Sequence, residues 1–257
     1  MNSIDLSEYE SGAPYKGKYS KKLKRLQKKL AVQQSLHIVH KCKTLIVMEG
    51  WDAAGKGGAI KRLTARWDPR FFEAYSVSAP TAEEKDKHFL WRFWNKLPGS
   101  REISVLDRSH YGRVLVERVE GFATETEWRR GYDEINEFEA QQGDIGTKVI
   151  KIFLHVTKET QERVLQERLV APSKRWKVTE EDFRNFAKRD AYLAAITDMF
   201  EQTNTHWAPW KVIDGNNQKA ARIAVLKHII AELEASIPQE FPEADPAVVE
   251  LAKRTLK

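Results

Sequence analysis

Short apolar runs alternate with stretches of helical periodicity along most of this chain. The apolar runs predict β-strands at residues 44–48, 74–78, 103–107, 148–154 and 211–213. Apolar residues with helical spacing predict helices at residues 82–97, 125–142, 158–169, 179–202 and 217–235. Because strands separated by helices usually pair in parallel, the pattern predicts an α/β fold, a parallel sheet with helices on both faces.

The first predicted strand runs directly into a glycine-rich loop. Gly50 and Gly55 enclose four residues and Lys56 follows, which is the spacing of a phosphate-binding P-loop. Helical periodicity resumes at once, so the loop lies between a strand and a helix as that motif requires. Glycines let backbone N–H groups turn toward an anion, and the helix N-terminus and the lysine add positive charge. The predicted phosphate-binding residues are Gly50, Ala53, Ala54, Gly55, Lys56, Gly57 and Gly58.

One position in the loop departs from the common pattern. Gly57 follows Lys56, where a serine or threonine hydroxyl would normally bind Mg²⁺. Asp52 lies inside the loop, where its carboxylate would repel phosphates unless a cation lay between them. We therefore expect Asp52 to be a ligand of a bridging Mg²⁺.

The apolar run at residues 103–107 ends in Asp107 and is followed by Arg108. This arrangement is typical of a Walker B strand, whose terminal carboxylate points into the crevice where the P-loop opens. We expect Asp107 to share the metal with Asp52, and Arg108 to bind phosphate oxygens with its forked guanidinium group. Read alone, Asp107 could equally be a turn or cap residue. His110 is interpreted as a packing residue because no carboxylate that would orient it is evident.

A basic segment lies between the predicted helices 158–169 and 179–202. It is typical of a lid that closes over phosphates, excludes water and brings cations to the transition state. Its candidate residues are Arg168, Lys174, Arg175 and Lys177, with Lys188 and Arg189 beyond them. The alternative is an exposed basic loop.

Composition adds less. The chain has 43 basic and 37 acidic residues, a net charge of +6 that modestly favours a polyanionic partner. Eight of the cations fall within residues 16–29 on a predicted amphipathic helix, whose basic side is either a solvated face or a surface that gathers a polyanion.

With no apolar run near 18 residues and a polar start, we expect a cytoplasmic protein without a membrane partner. The single cysteine, Cys42, is expected to be a free thiol.

Three segments resemble the polyphosphate kinase 2 family: GWDAAGKGGAIKR from residue 50, LDRSHYGRVLVERVEGF at 106–122 and APSKRWKVTEEDF at 171–183. The resemblance covers about residues 20–230. It implies a P-loop kinase-like fold with a helical lid, transfer of a phosphoryl group between inorganic polyphosphate and a nucleotide, and Mg²⁺, with Mn²⁺ as an alternative. It also implies a homo-oligomer, dimer or tetramer. The resemblance places Lys61 and Arg62 in a polyphosphate channel and Arg113 and Arg118 at phosphate.

The organisation predicted with this resemblance is a flexible arm at 1–19, a kinase domain at 20–237 with a lid at about 168–190, and a tail at 238–257. The segment 111–122 is closer to members that use monophosphates, so we expect AMP as acceptor ahead of ADP. Gly112 stands where other members carry asparagine or glutamate.

Two rival functions remain, an ATP-dependent nucleotide or nucleoside kinase and a non-enzymatic binder of polyanions or nucleic acid. The paired Asp52 and Asp107 argue against the second, so no nucleic-acid partner is expected.

Overall fold

A five-stranded parallel sheet forms the centre of the computed structural model, which describes residues 4–256. Its strands are β1 Lys43–Gly50, β2 Phe72–Ser76, β3 Ile103–Asp107, β4 Thr147–His155 and β5 Trp210–Asp214. They lie in the order β2-β3-β1-β4-β5. The chain order reverses beside β1, and ligands of such sheets bind outside the carboxyl ends of the strands at that point.

Helices cover both faces of the sheet. They are α1 Tyr19–Val39, α2 Lys56–Leu63, α3 Ala82–Lys85, α4 Trp91–Trp94, α5 Val116–Val119, α6 Glu125–Asp144, α7 Lys158–Val170, α8 Glu180–Ala187, α9 Arg189–Thr203, α10 Gln218–Ser236 and α11 Pro246–Thr255. Helices α1, α2 and α10 pack together, and α6 packs with α9. The predicted strand and helix alternation is therefore confirmed, with β1 buried between the two layers.

Two predicted helices are each divided. The segment 82–97 contains α3 and α4 instead of one helix, because the chain turns between them and buries Phe89, Leu90 and Phe93. The segment 179–202 breaks at Lys188 into α8 and α9. The second break matters for the site, because it lets α8 lie against the P-loop while α9 packs on the sheet.

The N-terminal segment differs from the expected flexible arm. Leu6 is buried in the main core, and Asp214 at the end of β5 accepts hydrogen bonds from the Gly12 backbone (2.8 Å) and the Ser11 hydroxyl (2.9 Å). Glu10 contacts His155 at the end of β4. Residues 4–18 therefore lie across the carboxyl ends of two strands, a placement that the polar composition of the segment did not reveal. Residues 1–3 lie outside the described part of the chain.

The start of the C-terminal segment contacts the rest of the protein, but its helix α11 does so little. Gln239 hydrogen-bonds with Gln33, and His40 with the backbone of Glu240, whereas α11 is largely exposed. The domain limits given above stay a prediction. Within residues 4–256, no helix has both the length and the apolar character needed to cross a membrane.

Candidate active site

The P-loop connects β1 to α2 at the carboxyl end of the sheet. Gly50 has a φ of 141°, and a Cβ there would lie 2.4 Å from the backbone oxygen of Leu154, so only glycine fits. Gly55, with a φ of 101°, caps α2. Ala53 packs against Val164 and Leu165 of α7, which fixes the middle of the loop. The loop geometry thus depends both on its glycines and on a distant helix.

Lys56 is buried at the first position of α2. Its ammonium group donates to the carbonyl oxygens of Gly50 (2.8 Å) and Trp51 (3.2 Å). The lysine therefore bends back over the loop and holds its charge at the cradle that a phosphate would enter.

Asp107 lies beside the P-loop, as expected for a Walker B carboxylate. β3 pairs with β1 in a register that sets Asp107 opposite Met48. A Cβ built on Gly57 would lie 3.4 Å from Oδ2 of Asp107, so the position that usually carries a hydroxyl faces this carboxylate. Within residues 4–256 the carboxylate of Asp107 has no hydrogen-bonding or ion-pair partner, which leaves its oxygens available to a ligand.

Asp52 is held by two donors. Its Oδ1 accepts from Nη2 of Arg108 (2.8 Å) and its Oδ2 from Nδ2 of Asn185 (2.7 Å). Burial by itself would raise the pKa of Asp52, but Lys56 and Arg108 outweigh burial and hold the pKa below its ordinary value. Asp52 is therefore ionised, and its charge is neutralised by cations of the protein.

Arg108 connects the P-loop to the lid. Its Nη1 donates to Glu181 of α8 (3.0 Å) while Nη2 contacts Asp52, and its φ of 64° aims the side chain into the cleft. Burial would lower the pKa of Arg108, but Asp52 and Glu181 raise it above its ordinary value. These contacts use one N–H of each terminal nitrogen of the guanidinium group that we expected to bind phosphate. A phosphate could be bound by the remaining N–H groups or could replace one of the two carboxylates.

Asp107 and Asp52 are the predicted ligands of a divalent metal. No group of three or more histidine, cysteine, aspartate or glutamate side chains within residues 4–256 could form a complete ligand shell. Mg²⁺ usually takes only one or two carboxylates and completes its shell with phosphate oxygens and water. Asp107 could serve directly, whereas Asp52 would share its oxygens with the donors Arg108 and Asn185 or exchange one of them.

The cleft is lined by both polar and apolar residues. Its lining includes the polar residues Glu49, Asp52, Arg108, Gln161, Glu181 and Asn185, and the apolar or aromatic residues Leu115, Val116, Phe153, Tyr192 and Ile196. Gly112 also lines it, and a Cβ there would only touch Val116 at 3.7 Å. Glycine at this position is therefore not required by packing and leaves room in the cleft wall.

Glu49 also lines the cleft, one residue before the P-loop. Its Oε1 accepts from the hydroxyl of Ser109 (2.7 Å). Burial raises the pKa of Glu49 above its ordinary value, although Ser109, Lys56 and Arg108 act against this shift.

A chain of contacts that the sequence analysis missed reaches the P-loop from the opposite side. Nε1 of Trp51 donates to Nδ1 of His155 (2.9 Å), and Nε2 of His155 contacts Glu10 (2.9 Å). Because indole N–H can only donate, Nδ1 of His155 must accept, so the neutral ring carries its proton on Nε2 and donates it to Glu10. Arg189 stacks 3.9 Å over the Trp51 ring. The N-terminal segment thereby positions the P-loop tryptophan.

A second cluster missed from the sequence lies beneath the loop after β3. Nζ of Lys151 donates to Glu139 (2.8 Å), Tyr111 (2.9 Å) and the Thr203 carbonyl (2.8 Å), and His110 contacts Glu139 (3.0 Å). The side chains of Lys151 and Glu139 are completely buried. Two sequence signals could have indicated it, a lysine within an apolar strand and a glutamate on the apolar face of α6. His110 does have an orienting carboxylate, and its contacts fit the packing role expected of it.

The lid cations are exposed. Arg175 donates to the carbonyl oxygen of Leu169 (2.8 Å), and Lys177 lies over the Trp176 ring. Lys174, Arg175 and Lys177 form no ion pair with any carboxylate of residues 4–256. Their charges are therefore free to meet an anion. Arg168, half-buried in the last turn of α7, leads into the segment.

The remaining predicted phosphate ligands lie farther out. Lys61 is exposed on α2, and Arg62 donates to the carbonyl of Gly58 (2.9 Å). Arg113 pairs with Glu117 and stacks on a phenylalanine, while Arg118 pairs with Asp198 at 2.7 Å. Because both of these arginines are already paired, the structure gives no support to the prediction that they bind phosphate.

Residues 14–240 match the polyphosphate kinase 2 family. The chain belongs to this family. It is 46% identical to a polyphosphate:AMP phosphotransferase of Acinetobacter johnsonii over 90% of the chain, and 37% identical to ADP-polyphosphate phosphotransferase 3 of Rhizobium meliloti over 93% of the chain. The aligned parts are 48% and 81% of those two proteins. The chain thus spans about half the length of the polyphosphate:AMP phosphotransferases it matches.

Solved structures of the polyphosphate kinase 2 family show the same architecture. The structure of polyphosphate kinase 2 from Arthrobacter aurescens TC1 superposes with a TM-score of 0.88 at 32% identity, over 98% of this chain and 93% of that one. The family and the P-loop kinase-like fold predicted from the sequence are therefore confirmed.

Proposed function

We propose that the chain transfers the terminal phosphoryl group of inorganic polyphosphate to a nucleotide, reversibly, with AMP as the preferred acceptor. The observation that carries this proposal is the P-loop of a polyphosphate kinase 2 family member, with buried Lys56 at the cradle. Beside Gly57 lies the carboxylate of Asp107, which has no partner among residues 4–256. A simple polyanion binder has no use for that carboxylate.

The chain's own residues would act by positioning and by neutralising charge, because phosphoryl transfer has a loose transition state and needs no covalent intermediate. Lys56 holds a phosphate in the loop, together with the backbone N–H groups of residues 53–58. Arg108 exchanges its carboxylate partners for phosphate oxygens. A divalent metal, Mg²⁺ or alternatively Mn²⁺, would when bound at Asp107 and Asp52 supply further neutralisation of the phosphate oxygens.

The lid would bring further positive charge and exclude water. Helix α8 already reaches the P-loop through Glu181 and Asn185, which contact Arg108 and Asp52. Lys174, Arg175 and Lys177 precede this helix, so a movement of α8 would also move them. Excluding water matters because hydrolysis of the transferred group would otherwise compete with transfer.

The preference for AMP is supported by the relatives and by the cleft. Relatives named polyphosphate:AMP phosphotransferase are 42–46% identical, whereas those named for ADP are 36–37% identical. Gly112 supplies no side chain to hold an additional phosphate or metal. Phosphorylation of ADP to ATP is the second candidate. ADP-polyphosphate phosphotransferase 3 of Rhizobium meliloti aligns with 93% of this chain.

The decisive experiment is an assay of the purified protein with polyphosphate, Mg²⁺ and each of AMP, ADP, GMP and GDP. We expect kcat/KM to be highest for AMP, since this ratio reports differential stabilisation of the transition state. A preference for ADP would overturn the acceptor assignment alone. Transfer with ATP as the donor and none with polyphosphate would overturn the function, and K56A serves as the inactive control.

A homo-oligomer, dimer or tetramer, and a cytoplasmic location beside the nucleotide pool belong to the same proposal. Light scattering of the purified protein and fractionation of cells that contain it test these two points. A monomer at assay concentration would exclude the oligomer.

A further inference from the structure

A basic groove lies between α1 and α10, outside the cleft described above. Its lining consists of Lys22, Arg25, Leu26 and Lys29 from α1, and Lys227, Ile230, Ala231 and Glu234 from α10. The four α1 residues follow at intervals of three, one and three, which places them on one face of the helix. Leu26 and Ile230 are buried beneath the groove, and its four cations are exposed or half-buried.

Most of this charge is not compensated. Lys29 pairs with Glu234 at 2.7 Å, whereas Lys22, Arg25 and Lys227 have no ion-pair partner within residues 4–256. Partial burial, and then the neighbouring charges of Arg25 and Lys227, lower the pKa of Lys22 below its ordinary value. Like charges that line one groove repel each other, and an anion bound between them would relieve this repulsion.

The groove lies on the same helix as a cation at the P-loop. The guanidinium group of Arg222 lies 3.3 Å from the position of a Cβ on Gly58, at the beginning of α2. Lys227 is five residues farther along α10, which is about 7.5 Å along the helix axis. Gln27 of α1 also donates to the backbone of Arg62 in α2 (3.0 Å). At about 100° per residue, Arg222 and Lys227 are about 140° apart around α10, so they lie on different faces of that helix. The groove is therefore beside, and separate from, the cation at the phosphate cradle.

We propose that this groove is a second binding site for inorganic polyphosphate, which holds a part of a long chain remote from the reacting end. The proposal rests on the proposed function. A linear anion with one charge per phosphate matches a row of closely spaced cations. Single-stranded nucleic acid fits less well, because its binding sites usually provide aromatic rings for base stacking and no aromatic residue lines the groove.

The test compares two variants with the same change in charge. K22Q/R25Q/K227Q removes the uncompensated cations of the groove. R129Q/K253Q/R254Q removes three exposed cations from α6 and α11 and is the control. Binding of long-chain polyphosphate and of tripolyphosphate is measured by calorimetry over a range of salt concentrations, and circular dichroism verifies that both variants are folded.

We expect the groove variant to bind long-chain polyphosphate at least tenfold more weakly than the control. The slope of log Kd against the logarithm of the salt concentration should decrease by about two, roughly 0.7 for each of the three lost contacts. Binding of tripolyphosphate, and kcat with it, should stay unchanged because a short chain fills only the P-loop. Inorganic phosphate at matched ionic strength provides the baseline for unspecific anion binding.

Three outcomes would overturn the proposal. Both variants could bind long-chain polyphosphate equally well. The groove variant could lose as much affinity for tripolyphosphate, or for a single-stranded oligonucleotide of the same charge, as for long-chain polyphosphate. A change in oligomeric mass confined to the groove variant would also overturn it and indicate a subunit interface. If wild type binds long chains through the groove but transfers no phosphoryl group, the proposed function fails while the binding site stands.

Discussion

Two ionic clusters lie on opposite sides of the loop that follows β3, and they differ in burial. In the cleft, Arg108 joins Asp52 and Glu181, and its side chain is 41% exposed. Beneath the loop, Glu139 joins Lys151 and His110, and all three side chains are 0% exposed. The residue types are similar, but the buried cluster has every charge paired inside the protein, while the cleft cluster opens to solvent and can exchange partners.

Burial, and not residue type, distinguishes the cluster that supports the fold from the cluster that can take part in a reaction. A buried charge without its partner is costly, so the cluster around Glu139 must remain intact and can only support the fold. A half-exposed charge loses little when a phosphate replaces a carboxylate, so Arg108 can change partners during a reaction. The loop between them thus has one rigid side and one adaptable side.

The largest effect is expected from breaking the buried cluster. Glu139→Ala leaves the Lys151 ammonium buried without its counter-ion and should lower the free energy of unfolding by about 3–5 kcal/mol. Urea denaturation measures it. The matched control is Glu125→Ala, which breaks the exposed pair with Arg129 and should cost less than about 1 kcal/mol. If both variants lose the same stability, burial does not distinguish the clusters.

A second substitution of Glu139 should alter the dependence of stability on pH in the acid range. Burial by itself would raise the pKa of Glu139, but Lys151 and His110 outweigh it and hold the pKa below the ordinary 4.5. Ionised Glu139 therefore stabilises the fold above pH 4.5, and this contribution is lost as the pH falls through the folded-state pKa. Glu139→Gln should flatten the acid limb, as measured by unfolding at several pH values.

The next effect concerns the phosphate cradle. Lys56→Ala should reduce kcat/KM by about 10²–10³, because a cation fixed where charge develops is lost. The melting temperature should change little, since water can replace the lysine at the two carbonyl oxygens. Lys253→Ala, at an exposed position on α11, is the control. Activity of Lys56→Ala within a few-fold of wild type would contradict the P-loop assignment.

A smaller loss is expected from Asp52→Asn on the adaptable side. The amide keeps the shape of the side chain and removes the charge, so the rate should fall about tenfold to a hundredfold, the equivalent of one hydrogen bond to a charged group. The Mg²⁺ concentration needed for half-maximal rate should rise at the same time. An unchanged Mg²⁺ titration with a reduced rate would mean that Asp52 positions Arg108 and does not bind the metal.

The smallest effect is expected in the lid. K174Q/R175Q/K177Q removes exposed, screened charges and should lower kcat by about three- to tenfold, with a stability change below about 1 kcal/mol. R129Q/K253Q/R254Q, with the same change in charge, should leave kcat unaltered. A loss of stability comparable to that of Glu139→Ala would show that the segment is structural and not a lid.

Local patterns in the sequence determined the order of strands and helices, the P-loop and the carboxylate at the end of β3. These features depend on neighbouring residues, because periodicity, glycine spacing and a strand-terminal aspartate are all local. The family could be identified from three short segments for the same reason. Helix breaks at Lys188 and between α3 and α4 were missed, since packing and not local propensity decides them.

Only the tertiary structure decided which charges meet. Asp52 and Asn185 are 133 positions apart, and Trp51 and His155 are 104 apart. The sequence alone predicted that Arg108 binds phosphate, but the fold also gives it two carboxylate partners. The sequence also gave no sign that residues 4–18 pack against the strand ends. The physical reason is that burial and distance set the strength of an electrostatic contact, and both arise only when remote segments come together.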